Sequence, residues 1–98
     1  MANIYEIVEK AAKTGKIERG VNEVTKALER GIAKLVVIAK DVNPKEIIQH
    51  IPILAKEKNV KVVEVDSKEK LGKISGISVA TSAIVIIDEG EAKLNSLN

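Results

Sequence analysis

The sequence of 98 residues contains no cysteine, no phenylalanine, no tryptophan and a single tyrosine. The lack of cysteine excludes disulfides, thiolate zinc sites and cysteine nucleophiles. With almost no aromatic side chains, the chain offers no platform for base stacking, and its core must consist of closely packed aliphatic side chains. We therefore expect a small domain that holds no metal and no cofactor.

Long apolar runs are also missing. No window approaches the roughly 18 uninterrupted apolar residues of a membrane span, and the first residues lack the basic and apolar regions of a signal peptide. We predict a cytoplasmic protein without membrane association, folded as a single domain over residues 1–98 and monomeric when free. The abundance of Lys and Ile resembles the composition of thermophile proteins.

The formal net charge of +2 hides an uneven distribution along the chain. Between Lys10 and Lys40, eight basic residues stand against three acidic ones, a net +5, so the rest of the chain carries −3. Such an asymmetry is typical of a surface that binds a polyanion, because neutralising phosphates supplies most non-specific affinity for nucleic acids. A lysine-rich surface that contacts only solvent would give the same counts, so charge alone leaves both interpretations open.

Two amphipathic helices are predicted in the first third of the chain, because apolar residues recur there at helical spacing. The first stripe ends near Thr14-Gly15 and consists of Ile4, Ile7, Val8, Ala11 and Ala12. The second begins just after Gly20 and consists of Val21, Val24, Ala27 and Leu28. A short connector is expected over residues 15–20, and Gly31 is a typical stop for the second helix.

Three runs of strand length predict strands at residues 33–39, 61–65 and 82–87, and the first and third, which are almost continuously apolar, are predicted to be buried. Between the first two runs, Asn43, Pro44 and Glu46 form the start signal of a third helix. This helix is interrupted or restarted at Pro52 and continues toward Asn59.

Ser67 is predicted to cap a short fourth helix that contains Leu71 and ends between Gly72 and Gly76. Helices that alternate with strands require crossover connections and cover both faces of a sheet, because each helix has one apolar stripe to bury. The fold class is therefore α/β, a three-layer α/β/α sandwich with a small mixed central sheet.

Signals for metal binding or catalysis are incomplete. His50 is the only histidine, and no cysteine or second histidine can join it around a metal. Thr14-Gly15-Lys16 is similar to the end of a phosphate-binding loop, but Lys10 and Ile17 occupy positions where a glycine and a hydroxyl are required. An acidic cluster follows the last strand, as in a solvated turn, and consists of Asp88, Glu89 and Glu91. Without a convergent nucleophile, base and oxyanion site, the chain is predicted not to be an enzyme.

Residues 16–26 carry the strongest functional signal. They place Asn22, Glu23 and Lys26 near a helix N-terminus, whose unpaired N–H groups and partial positive charge suit phosphate oxygens. A carboxylate can accept hydrogen bonds from guanine N1–H and N2–H, so Glu23 can read a base while lysines supply affinity. A structural interpretation stays open, with Asn22 as the helix cap, Glu23 as a favourable first-turn acid and Lys26 in solvent.

Several segments together resemble the archaeal ribosomal protein family L7Ae, which binds kink-turns in RNA and shares a superfamily with L30e-like proteins. The most specific part is the run Gly20-x-Asn22-Glu23-x-Thr25-Lys26 in this α/β order. The resemblance extends from about Ile7 to Gly90. Further matching segments are residues 27–31, 33–39, 41–44, 71–72 and 76–79.

The resemblance implies a clamp on the kink-turn, a sharply bent RNA in which tandem sheared G·A pairs lie beside a three-nucleotide bulge. Asn22 and Glu23 would contact the guanines, and Gly20 would allow close approach of the backbone. The residues implied to hold phosphates are Lys16, Arg19, Lys26 and Lys34. The apolar loop implied to cover the bulge is Ile77-Ser78-Val79-Ala80. The pocket of the flipped-out nucleotide is implied to be lined by Asn43, Ile47 and Lys68.

Structural alternatives stay open for several of these positions. Ile77 and Val79 can lie at the edge of the hydrophobic core, and Ile47 can be an ordinary core residue. Lys68 can be a solvent-exposed lysine in the first turn of its helix. As partners, the resemblance implies structured RNA containing kink-turns and the subunits of ribosomal or guide ribonucleoproteins, including box C/D, H/ACA and ribonuclease P particles. Two rival functions are a relative that binds a different internal loop of RNA, and a protein-interaction module that uses the apolar loop and ignores RNA.

Overall fold

The computed structural model describes residues 3–42 and 49–94. Within these ranges the chain forms four helices and four strands, in the order α1 (Ile4–Thr14), β1 (Lys16–Arg19), α2 (Val21–Glu29), β2 (Leu35–Ala39), α3 (His50–Glu57), β3 (Lys61–Val65), α4 (Lys68–Ile74) and β4 (Ala83–Asp88). The first two predicted helices are confirmed. Asn3 caps α1 by accepting a hydrogen bond from the Tyr5 N–H at 2.8 Å, and α2 begins directly after Gly20.

The strands form one mixed sheet in the order β1-β4-β2-β3. β4 runs antiparallel to both of its neighbours, whereas β2 and β3 run parallel, with α3 in the connection between them. All five residues of β2 and the first four of β4 are buried. This central pair of strands is therefore covered on both faces, as the uninterrupted apolar runs predicted.

Helices cover the sheet in two pairs, because α1 contacts α4, α2 contacts α3, and each pair packs on the strands. The largest fully buried side chains in the described ranges are almost all aliphatic and include Val8, Val24, Leu28, Leu35, Ile51, Leu71, Ile84 and Ile86. The predicted three-layer α/β/α sandwich with a mixed central sheet is thus confirmed.

The connector expected over residues 15–20 contains a strand, β1, that the sequence analysis missed. β1 lies at one edge of the sheet, buries only Ile17 among its four residues, and changes register against β4 between Lys16 and Ile17. A four-residue edge strand with mostly charged side chains has neither an alternating nor a continuous apolar pattern. Periodicity therefore gave no indication of it.

The fourth helix agrees with the prediction, and the third is described in part. Ser67 caps α4, since its Oγ accepts from the Lys70 N–H at 3.1 Å, and the helix ends at Ile74, between Gly72 and Gly76. The start predicted at residues 43–46 falls outside the described residues. The described part of the third helix begins at His50, so that Pro52 lies in its first turn.

Two glycines bring the end of α1 against the turn that follows β4. A Cβ on Gly15 would overlap the Asp88 carbonyl oxygen, and a Cβ on Gly90 would overlap the backbone of Thr14. The Thr14 hydroxyl accepts from the Glu91 N–H at 2.8 Å. This close backbone contact fixes the point at which β1 starts beside β4.

We expect Gly15→Ala to lower the free energy of unfolding by about 2 to 3 kcal/mol, because the added methyl meets backbone rather than a movable side chain. Urea denaturation measures the effect. Gly31→Asn is the control, since Gly31 has φ 72° with open space around it, and asparagine tolerates this conformation. Equal stability of Gly15→Ala and the wild type would contradict the close contact.

Candidate functional site

α2 has an open N-terminus at Gly20. Gly20 adopts φ 99° and ψ 152°, a conformation that side chains with a Cβ rarely allow. Its N–H donates to the Ala83 carbonyl at 2.8 Å, and its own carbonyl accepts from the Val24 N–H at 3.0 Å. Within the described residues no side chain caps this helix. The N–H groups of its first turn are therefore available to a ligand.

Asn22, Glu23 and Lys26 lie in the first turns of α2. The interpretation of Asn22 as the helix cap is wrong, because Gly20 holds that position and Asn22 is the second helical residue, with its side chain exposed. Glu23 Oε1 and Lys26 Nζ lie 3.6 Å apart, with side chains 46% and 57% exposed. An ion pair this exposed contributes little to stability. Glu23 and Lys26 can therefore separate and each contact a ligand at a small cost in free energy.

Thr25 anchors the same helix on another side. Its hydroxyl donates to the Val21 carbonyl at 2.8 Å, and its oxygen lies 2.8 Å from His50 Nε2 at the start of α3. His50 is thus a hydrogen-bond partner between two helices. In the described ranges no group of His, Cys, Asp or Glu could hold a metal ion. No helix of residues 3–42 and 49–94 is long and apolar enough to span a membrane.

The loop between α4 and β4 presents the apolar side chains of residues 77–80, the segment called here the apolar loop. Val79 is 67% exposed and Ile77 is half-buried. The ends of the loop are fixed by hydrogen bonds from the Ile77 N–H to the Gly72 carbonyl and from the Thr81 N–H to the Lys68 carbonyl, both at 3.1 Å. A groove of about 580 Å³ runs along it and is lined by Glu69, Lys73, Ile77, Ser78, Val79 and Ala80.

Arg19 joins the apolar loop to the start of α2. Its Nε donates to the Ser75 carbonyl oxygen at 2.9 Å, and its Nη2 donates to the same oxygen. Ser75 is fully buried and follows the last residue of α4. Since Arg19 precedes Gly20 and Ser75 lies two residues before Ile77, this contact places the N-terminus of α2 beside the apolar loop.

Lys16 and Lys34 lie away from this junction. In the register of β1 against β4, Lys16 lies opposite Asp88, at the end of β4. The Lys34 N–H donates to the Ile86 carbonyl at 2.7 Å, whereas Gly20 contacts Ala83 at the start of β4. At about 3.3 Å per strand residue, the two lysines are roughly 10 Å or more along the sheet from Gly20. Both side chains are exposed.

The predicted nucleotide pocket is described only in part. Lys68 is half-buried at the start of α4, and its N–H donates to Asp41 Oδ1 at 2.9 Å. Asn43 and Ile47 lie outside the described residues. Asp41, which positions the beginning of α4, was not among the predicted site residues, because a carboxylate in a loop after β2 carries no local signal for such a distant contact.

The fold and this junction define a small α/β binding domain with an open helix N-terminus beside an exposed apolar loop. A family model described as Ribosomal protein L7Ae/L30e/S12e/Gadd45 family matches residues 2–95. The chain belongs to this family, as the sequence resemblance predicted. Its structure is similar to that of the Giardia lamblia 15.5kD RNA binding protein, with 35% sequence identity and a TM-score of 0.82. The match covers 99% of this chain and 82% of the Giardia chain.

Gly72 tests how the apolar loop is supported. A Cβ at this position would overlap the Val79 carbonyl oxygen and lie 3.2 Å from the Ala80 Cα. We expect Gly72→Ala to displace the loop and to lower the free energy of unfolding by about 2 kcal/mol, measured by urea denaturation and by amide chemical shifts of residues 77–80. Lys56→Ala, an exposed change on α3, is the control. Unchanged loop signals in Gly72→Ala would show that the backbone of Val79 does not pass over this glycine.

Proposed function

We propose that this protein binds kink-turns in structured RNA and stabilises their bent form without catalysing a reaction. The observation that carries the proposal is the junction held by Arg19, where the open N-terminus of α2 lies beside the apolar loop. Family membership and the similarity to an RNA-binding protein from Giardia support an RNA ligand. A kink-turn requires both features, since it offers polar base edges at its G·A pairs and unstacked nucleotides at its bulge.

The start of α2 would read the G·A pairs. Asn22 and Glu23 lie in the first turn of α2, and Gly20 has open space where a Cβ would stand, so RNA can approach the backbone closely. The Glu23 carboxylate would accept hydrogen bonds from guanine, leaving its exposed pairing with Lys26. A carboxylate repels phosphates, so it contributes to affinity only where a base edge satisfies it, and this supplies specificity.

The basic residues would hold the RNA backbone over a longer path. Lys26 lies on α2 close to the base-reading residues, whereas Lys16 and Lys34 flank the far end of β4. Lys16 and Lys34 would therefore contact phosphates of a stem rather than of the kink itself. Asn43, Ile47 and Lys68 would line the pocket of the flipped-out nucleotide. The apolar loop would cover the bulge.

Within a cell, such a protein would be a subunit of a ribonucleoprotein, either the large ribosomal subunit or a box C/D, H/ACA or ribonuclease P particle. A second candidate is a protein-interaction module of the same fold, which the 67% exposure of Val79 favours. That alternative leaves the uncapped start of α2 and the exposed Glu23 without a role. Binding measurements on RNA variants separate the two candidates.

Glu23→Ala tests the base-reading role. We expect the affinity for a kink-turn RNA to fall about tenfold to a hundredfold, by analogy with base-edge contacts worth roughly 1 to 3 kcal/mol. The affinity for a plain duplex should stay the same or rise, because the substitution removes a negative charge from a basic surface. Calorimetric titration measures both. Glu29→Ala, the same charge change at an exposed position at the other end of α2, should keep the kink-turn affinity and change the duplex affinity no more than Glu23→Ala does. Equal losses on the two RNAs would refute the role.

Lys26→Ala tests the phosphate contact. Each neutralised phosphate contributes about one unit to the slope of log affinity against log salt, so the slope should become shallower by about one. Titrations at four or more salt concentrations determine it. Lys61→Ala, an exposed change on β3 at the opposite edge of the sheet from β1, should keep the wild-type slope. A wild-type slope for Lys26→Ala would mean that Lys26 stays in solvent when RNA binds.

A further inference from the structure

Arg19 stands at a point where two parts of the proposed site meet. It is the last residue of β1, it is half-buried, and Gly20 follows it directly. Two of its guanidinium nitrogens donate to one acceptor, the carbonyl oxygen of Ser75, with an Nε to O distance of 2.9 Å. The two residues are 56 positions apart in the sequence. The contact is therefore a long-range connection rather than a local cap.

The acceptor carbonyl lies at the C-terminus of α4, where carbonyl groups lack helical partners and the helix dipole favours a positive charge. Ser75 is fully buried, and its hydroxyl donates to the Gly72 carbonyl at 2.9 Å. The chain then turns at Gly76, which has φ 91° and whose Cβ position would lie 3.5 Å from Arg19 Nη2. The guanidinium thus packs against the bend from which the apolar loop emerges.

We propose that Arg19 is a positioning residue that holds the apolar loop in place beside the start of α2, rather than a residue that holds an RNA phosphate. This inference rests on the proposed function, because the two elements it joins are the ones proposed to contact the two parts of a kink-turn. Its charge is already engaged by the end of α4 through two hydrogen bonds. Arg19 then contributes to RNA binding by holding the apolar loop and the start of α2 in their relative positions.

Arg19→Met removes both donors and the charge while keeping much of the stem, and Arg19→Lys keeps the charge but loses the paired donors. Arg30→Met is the control, the same substitution at an exposed position after the last turn of α2. In the free protein, we expect amide hydrogen exchange of Gly76, Ile77 and Thr81, whose N–H groups donate to backbone carbonyls, to become at least tenfold faster in Arg19→Met, and partly faster in Arg19→Lys. Arg30→Met should exchange like the wild type.

With RNA, we expect Arg19→Met to lose about tenfold in affinity for a kink-turn, to keep the wild-type salt slope, and to keep its affinity for a plain duplex. If Arg19 held a phosphate, Arg19→Met would instead reduce the salt slope by about one and lower the affinity for both RNAs, and Arg19→Lys would restore both affinities. This result would overturn the inference. Wild-type exchange in the free Arg19→Met protein would also overturn it. The exchange measurement needs no RNA, so its failure is distinct from failure of the proposed function, which would appear as equal binding of both RNAs by the wild type.

Discussion

The structure depends on burying the central strands β2 and β4 on both faces. This requirement places helices on each side of the sheet and leaves one edge of β4 for the short strand β1. β1 ends where β4 begins, so that the Gly20 N–H reaches the Ala83 carbonyl. The apolar loop leads into that same end of β4. The start of α2 and the loop are thus neighbours because both are attached to one end of one buried strand.

The sequence was sufficient for every element with a clear apolar pattern. Both faces of β2 and β4 were read from continuous branched residues, and α1 and α2 from stripes such as Ile7, Val8 and Ala11. β1 was not predicted, because a four-residue edge strand with mostly charged side chains has no apolar periodicity. The contact between Arg19 and Ser75 could not be predicted either, since local spacing carries no information about residues 56 positions apart, and the family resemblance implied a phosphate contact for Arg19.

The described part of the candidate site, at the start of α2 and the apolar loop, is an open surface. Its charged groups at Glu23 and Lys26 are held only by an exposed pair, while the backbone around them is fixed by Gly20, Thr25 and Arg19. A rigid backbone with side chains free to change partners suits a ligand recognised by shape and by base edges. It also limits the ordering cost of binding, because the two surfaces that would contact the RNA are already in place.

The central claim is that the junction recognises the bent geometry and G·A pairs of a kink-turn. The most direct test is a calorimetric titration of the protein with a kink-turn RNA and with the same RNA whose G·A pairs are replaced by Watson–Crick pairs, at one salt concentration. The account predicts tight binding to the first RNA and only weak, salt-sensitive binding to the second. Equal affinity for both, or binding to neither, would contradict it and leave the apolar loop as a surface for a protein partner.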